Sequence, residues 1–206
     1  MIQRLTMVML DAILQDMASW KAQGFCPKIA LNVSARSLSD ASFAGEVLRR
    51  AERAGISPEC LVLEITESAL VSDLATALGT LGRLRLNGVG LSIDDYGTGF
   101  SSMQQLLRLP FTEMKIDRTF IRNAHARWKQ RAVLESTIEI GHRLGLATVA
   151  EGIETPEELE LLASLGCQGA QGFLIAPPLP ASHVKHWMNK RHARALTEHR
   201  LRAWPA

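Results

Sequence analysis

The chain has few cysteines, no long apolar run and almost no excess of charge. Its three cysteines, Cys26, Cys60 and Cys167, are spread over 206 residues and form no C-x-x-C pair. Neither a disulfide framework nor a zinc site is indicated by that spacing, and a reducing cytoplasm is the expected location. The most apolar N-terminal stretch, Met7-Val-Met-Leu10, is interrupted on either side by Gln3, Arg4, Asp11 and Gln15. It is too short and too polar for a membrane span, and no signal-peptide cleavage pattern follows it. With a net charge of only +2, nothing calls for DNA or a membrane surface as partner. No G-x-G-x-x-G follows the first expected strand, which weakens a dinucleotide-binding reading. The six histidines all lie away from expected strand ends, which weighs against a histidine metal site.

What is present is an alternation of short apolar runs and longer amphipathic ones. Strands are expected at 28–33, 61–65, 89–94, 113–117, 147–151 and 169–173. Helices are expected at 2–22, 40–55, 72–87, 100–109 and 127–144, from Thr155 to before Gly166, and at 181–190. Residues 34–40 read as a loop. In the first helix the apolar stripe is taken as Leu5, Val8, Met9, Ile13, Met17 and Trp20. Glycines at 24, 55, 88, 145 and 166 mark helix ends. Pro156 and the acids after it mark a helix start. Six strand–helix units predict an α/β domain with a parallel sheet. Six is fewer than the eight that close a barrel, so an open doubly wound sheet stands as the alternative. The basic end, with four arginines between Arg191 and Ala206, reads as a solvated tail over 189–206.

The stretch around which the chain is organised is Leu91-Ser-Ile-Asp-Asp-Tyr-Gly-Thr-Gly-Phe-Ser-Ser102. An apolar strand there delivers two adjacent carboxylates, Asp94 and Asp95, to its C-terminal end. Neighbouring side chains on a strand point to opposite faces, so the pair converges only if the chain bends, and Gly97 and Gly99 permit a bend. Polar groups recur at the other strand ends: Asn32, Glu64, Lys115 with Asp117, Glu151 with Glu154, and Gln171. In parallel α/β folds that rim binds ligands. Carboxylates with one amide carbonyl suit Mg²⁺ or Mn²⁺ rather than zinc, and a lysine among them suits metal-assisted hydrolysis of a phosphate ester.

These residues also carry a resemblance. Leu31-Asn-Val-Ser-Ala-Arg36, Leu63-Glu-Ile-Thr-Glu-Ser68, Ile93 to Ser102, Met114-Lys-Ile-Asp-Arg118, Val149-Ala-Glu-Gly-Ile-Glu154 and Gln171-Gly-Phe173 resemble, in order and spacing, the EAL-domain family of cyclic di-GMP phosphodiesterases. The resemblance covers roughly residues 4–188 and implies a modified TIM-barrel fold. It implies hydrolysis of cyclic di-GMP to linear pGpG with two Mg²⁺ or Mn²⁺ ions. Asn32, Glu64 and Asp94 match ligands of the first ion. Asp94, Asp95 and Glu151 match those of the second. Lys115 matches the lysine that positions the attacking water, and Glu154 a further catalytic residue. Glu67 matches the glutamate that holds the loop after Asp94–Asp95, a loop tied in the family to dimerisation. Gln171, Asp117 and Arg36 match substrate contacts. Tyr96 and Phe100 exchange the family's commoner Phe and Tyr.

The Glu-Ala-Leu string itself is absent. It would lie on a strand upstream of Met1, so the expectation is an EAL domain over 1–188 lacking two strands, with its first cation site weakened. A homodimer and an upstream sensory or GGDEF domain are the expected partners. The second functional reading is an inactive module that binds cyclic di-GMP or another protein.

Overall fold

The computed structural model describes residues 2–66, 74–97 and 103–197. The chain divides into two compact units, Met1–Glu113 and Met114–Ala206, described in turn. Glu67, Gly99, Phe100, Ser101 and Ser102, which the sequence singles out, lie outside the described residues.

In the first unit, helix α1 (Ile2–Ala22) precedes strand β1 (Ile29–Val33). A four-residue helix α2 (Ala35–Leu38) and helix α3 (Phe43–Arg53) then lead through a 3₁₀ turn (Pro58–Cys60) to β2 (Leu61–Thr66). Helix α4 (Leu74–Leu86), β3 (Gly90–Tyr96) and α5 (Met103–Arg108) complete it. The three strands pair in parallel, with Ile29 opposite Leu61 and Val62 opposite Gly90. Val33, Leu61, Leu63, Ile65, Leu91 and Ile93 are buried, with Phe43, Val47, Leu81 and Leu84 from the helices. This is the core that the period-two and 3.6-residue patterns demand. Thr112 exchanges hydrogen bonds with Leu91, its Oγ1 both accepting from Leu91 N and donating to Leu91 O at 3.0 Å.

Two expectations change here. Residues 34–40 are not all loop: Ser34 caps α2, its hydroxyl accepting from Ser37 N. The buried stripe of α1 is Thr6, Leu10, Leu14, Met17 and Trp20, whereas Leu5, Val8 and Met9 are exposed. Both stripes fit a 3.6-residue period, because apolar side chains surround the N-terminal half of the helix. The face is chosen by what packs against it.

The second unit takes up β4 (Glu113–Ile116), then α6 (Arg118–Ile121), α7 (Trp128–Arg143), β5 (Ala147–Ala150), α8 (Pro156–Ser164), β6 (Gly169–Ala170) and α9 (Ala181–Thr197). Its strands run in the order β4–β5–β6, with β5 and β6 parallel. Ile116, Ile121, Leu134, Ile138, Ala150, Ile153, Leu162 and Cys167 form its core. Burial pushes the Cys167 thiol up. On α7, a Cβ on Gly141 would lie 2.4 Å from Thr148 Cγ2, so glycine there sets how closely the helix approaches β5.

The strand expected at 169–173 is only two residues long. It ends because Gln171 bonds on both sides, its N–H to Ala150 O at 2.8 Å and its carbonyl to Ile153 N at 3.0 Å, and the chain then turns. The last helix runs seven residues past its expected end at 190, so the first part of the basic tail is helical.

Helix α8 begins with a complete capping box. Thr155 Oγ1 accepts from Glu158 N at 3.3 Å, and Glu158 Oε2 accepts from Thr155 N at 3.2 Å and Glu154 N at 3.0 Å. Thr155→Ala is expected to cost about 1 kcal/mol, read as a lowered denaturation midpoint with an unchanged denaturant slope.

Candidate functional site

Each unit carries polar groups at the C-terminal ends of its strands. In the first unit Asn32 on β1 stands directly opposite Glu64 on β2, and Glu64 stands opposite Ser92 on β3. Residues in register on parallel strands share a face, so these three form one polar row. Glu64 is buried, 8% exposed, whereas Asn32 is exposed. Ser92 is fully buried, and its hydroxyl finds no hydrogen-bond partner among the described residues. Asp94 lies on the same face, opposite Thr66 and two residues beyond Ser92, about 7 Å nearer the strand end.

The bend expected after Asp94 is made first by Asp95 itself. Its φ is +55°, in the left-handed region that few non-glycine residues adopt, and Gly97 follows at +92°. Asp95 N donates to Asp94 Oδ1 at 3.1 Å. Asp and Asn tolerate this conformation best, but it still costs roughly 1–3 kcal/mol, and such strain concentrates at functional sites. Both carboxylates are half-buried. Arg36 stands on α2, just past β1, and is exposed.

In the second unit Lys115 on β4 is buried, 4% exposed, and its Nζ lies 2.6 Å from Glu151 Oε1. The backbone sets this pair, since Glu151 N donates to Ile116 O at 3.0 Å and so holds the end of β5 beside β4. Gly152 follows at φ +66°, where a Cβ would meet Arg118 Cβ at 2.8 Å. Gly172 admits no side chain at all: a Cβ there would lie 2.2 Å from Ile153 N and 2.3 Å from Ile153 O.

These close approaches shape a cleft of about 450 Å³ lined by Asp117, Arg118, Glu151, Glu154, Gln171 and Phe173, with Pro177 and Pro178 on one side. Four of the expected site residues thus meet in one cleft. Arg118 Nη2 approaches Glu154 Oε1 at 3.6 Å, both side chains about half exposed. Phe173 is 69% exposed. Asp117 also has a local task, its Oδ1 accepting from Thr119 N at 2.8 Å as the cap of α6.

Three residues of these two groups were not singled out from the sequence. Arg118 was visible only as the last member of a strand-end string. Ser92 was visible only as a polar residue alternating with Leu91 and Ile93. Phe173, too, was only the end of a short string.

Comparison with known proteins follows from this geometry. The family described as "EAL domain" matches residues 1–178. A cyclic di-GMP phosphodiesterase of Pseudomonas aeruginosa is 37% identical over 175 residues, 85% of this chain and 30% of its own length. The bifunctional diguanylate cyclase/cyclic di-GMP phosphodiesterase MucR of the same organism is 39% identical over 85% of this chain and 26% of its own length. The chain therefore spans less than a third of these curated relatives. Among solved structures, the MucR phosphodiesterase in complex with c-di-GMP superposes with a TM-score of 0.79 at 39% identity, covering 85% of this chain and 71% of that one. The EAL domain of Mycobacterium smegmatis DcpA gives 0.84 at 33% identity, covering 88% and 82%. The parallel, TIM-barrel-like α/β fold is the one these neighbours share.

Proposed function

This chain belongs to the EAL domain family, and from that premise we propose that it hydrolyses cyclic di-GMP to linear pGpG with two bound Mg²⁺ or Mn²⁺ ions. The observation that carries the reading is the ion pair between buried Lys115 and half-buried Glu151, at the edge of a cleft that also presents Arg118, Glu154 and Gln171. A lysine is expensive to bury and is retained where its charge or its donors are used.

The donor set fits hard divalent cations. Asn32, Glu64, Asp94, Asp95 and Glu151 offer only oxygen, and the orphaned Ser92 hydroxyl adds another oxygen on the row with Asn32 and Glu64. These five residues are the proposed ligands. When bound, such ions lower the pKa of water and stabilise the charge that builds on a phosphodiester. Lys115 holds the Glu151 carboxylate in one orientation and places ammonium donors where a water or phosphate oxygen is steered. Glu154, held by Arg118 and by the cap of α8 that binds its backbone N–H, handles a proton at the cleft's mouth. The Arg118 guanidinium is a planar donor for a phosphate. Gln171, Asp117 and Arg36 supply polar contacts to the nucleotide. Phe173 and the two prolines give a guanine base an apolar face to lie on.

A second copy of the chain and a sensory or GGDEF domain are proposed as partners, the latter supported by the bifunctional name of the MucR relative. No described helix is long and apolar enough to cross a membrane. A cytoplasmic location is proposed on the cysteine usage, three thiols with no C-x-x-C pair.

The test is turnover of cyclic di-GMP by this chain with Mg²⁺ or Mn²⁺, followed by chromatography, beside calorimetric binding of the same ligand. Appearance of pGpG that EDTA abolishes is the expected result. Binding without turnover would make the chain a receptor, and the absence of both binding and turnover would overturn the reading.

A further inference from the structure

Cys26 and Cys60 are 34 residues apart in the chain, yet their sulfurs lie 3.4 Å apart. The fold brings them together because Ile29 and Leu61 make the first rung between β1 and β2. Cys26 sits three residues before that rung and Cys60 one residue before it, on the 3₁₀ turn. The corner around them is held from several sides. Phe25 N donates to Trp20 O at 3.0 Å, the Trp20 and Phe25 rings meet edge to face at 6.1 Å, and Lys21 Nζ donates to Gly55 O at 2.5 Å. Cys26 is exposed and Cys60 half-buried.

We propose that Cys26 and Cys60 are a dithiol–disulfide pair, a covalent clamp across the entry to β1 and β2 that hydrogen peroxide closes and a small thiol reopens. It is independent of the phosphodiesterase reading. The exposed Cys26 meets the oxidant first. Its sulfur attacks one peroxide oxygen, the O–O bond breaks, and Cys26 becomes a sulfenic acid with loss of one water. The Cys60 sulfur then attacks Cys26 Sγ, the S–OH bond breaks, and the second water leaves with the Cys60 proton. Two thiols have lost two protons and two electrons, and one peroxide has become two waters. Bond formation shortens the 3.4 Å between the two sulfurs to about 2.0 Å. Burial, with the hydrogen bond to Cys26 next, pushes the Cys60 thiol up, so it remains a resolving thiol rather than a second target. Cys167, 4% exposed in the other unit, is shielded from both events.

The clamp acts on the strand that carries Asn32. It fixes the rung from which the Asn32–Glu64 pairing is counted, at the end of the strands away from those side chains.

The experiment is treatment of the folded chain with stoichiometric hydrogen peroxide, then alkylation and peptide mass analysis. Free thiols are expected to fall from three to one, with a Cys26–Cys60 linked peptide that dithiothreitol releases. The rate of linking should not depend on protein concentration. The melting temperature should rise by roughly 10 °C, since the bond closes a long loop of the unfolded chain. Cys167→Ser should form the same link and show the same rise on oxidation, and Cys26→Ser and Cys60→Ser should each lose both the link and the shift. Over-oxidation of Cys26 with Cys60 still free, or a link between two chains through Cys26, would overturn the proposal. So would a Cys60→Ser variant that gains the same thermal shift.

Discussion

Replacing Lys115 by methionine is expected to lower kcat for cyclic di-GMP by about 10²–10⁴, with a much smaller change in KM. Lys115 is 4% exposed and its charge is met by Glu151 at 2.6 Å. Methionine keeps most of the buried stem but removes the ammonium, so the Glu151 carboxylate loses the group that orients it. Removing one member of a buried pair also costs folding energy, of order 3–5 kcal/mol where the remaining charge cannot reach water. Glu151 has a side chain 20% exposed, which places the expected loss below that range. Steady-state kinetics beside a denaturant melt separates the two effects. A variant that folds and retains kcat within a few-fold of the parent would remove Lys115 from the proposed chemistry.

Gly172→Ala is expected to be the most damaging substitution in the second unit. Its Cβ would sit 2.2 Å from Ile153 N and 2.3 Å from Ile153 O, and neither is the end of a flexible side chain that can swing aside. Ile153 N already donates to the Gln171 carbonyl at 3.0 Å, and Leu174 N donates to Ile153 O at 3.0 Å. The methyl group must therefore push apart the two backbone segments that carry Glu154 on one side and Gln171 and Phe173 on the other. Overpacking of this kind costs on the order of 3 kcal/mol. The denaturation midpoint should fall accordingly, and calorimetric binding of cyclic di-GMP should weaken or vanish. Binding equal to the parent's would show that the cleft tolerates a shift in this turn.

The placement of the strands and of the acids was legible because two regularities coincide. Short apolar runs bounded by glycine and turn residues locate buried strands, and parallel strands present their C-terminal ends to ligand. Asp94, Glu151 and Lys115 could be singled out on that ground alone. Their distances could not, because which strand lies beside which is a property of the assembled chain. The 2.6 Å approach of Lys115 to Glu151 depends on β5 lying next to β4.

Other features were hidden for specific reasons. In α1 the apolar residues form two overlapping stripes, and only the packed structure selects Leu10 and Leu14 over Leu5 and Met9. Asp117 reads as a site acid, but an aspartate two residues before a backbone N–H that needs a partner is also a helix cap, and here it is one. Cys26 and Cys60 were set aside for being far apart, although strands paired at their first residues bring whatever precedes them together. Gly172 carried no signal of its own, since its necessity lies in the backbone of a residue nineteen positions earlier.

The left-handed backbone at Asp95 has a consequence for how sequences of this kind change over time. The peptide conformation at that position favours glycine, with asparagine and aspartate after it, and the proposed role of the carboxylate as a metal ligand would keep an acid there. Selection for binding and selection for an unstrained chain therefore pull in opposite directions at a single codon. A copy released from catalysis would be expected to drift to glycine or asparagine at 95 before it lost anything in the apolar strand behind, and to become more stable as it fell silent.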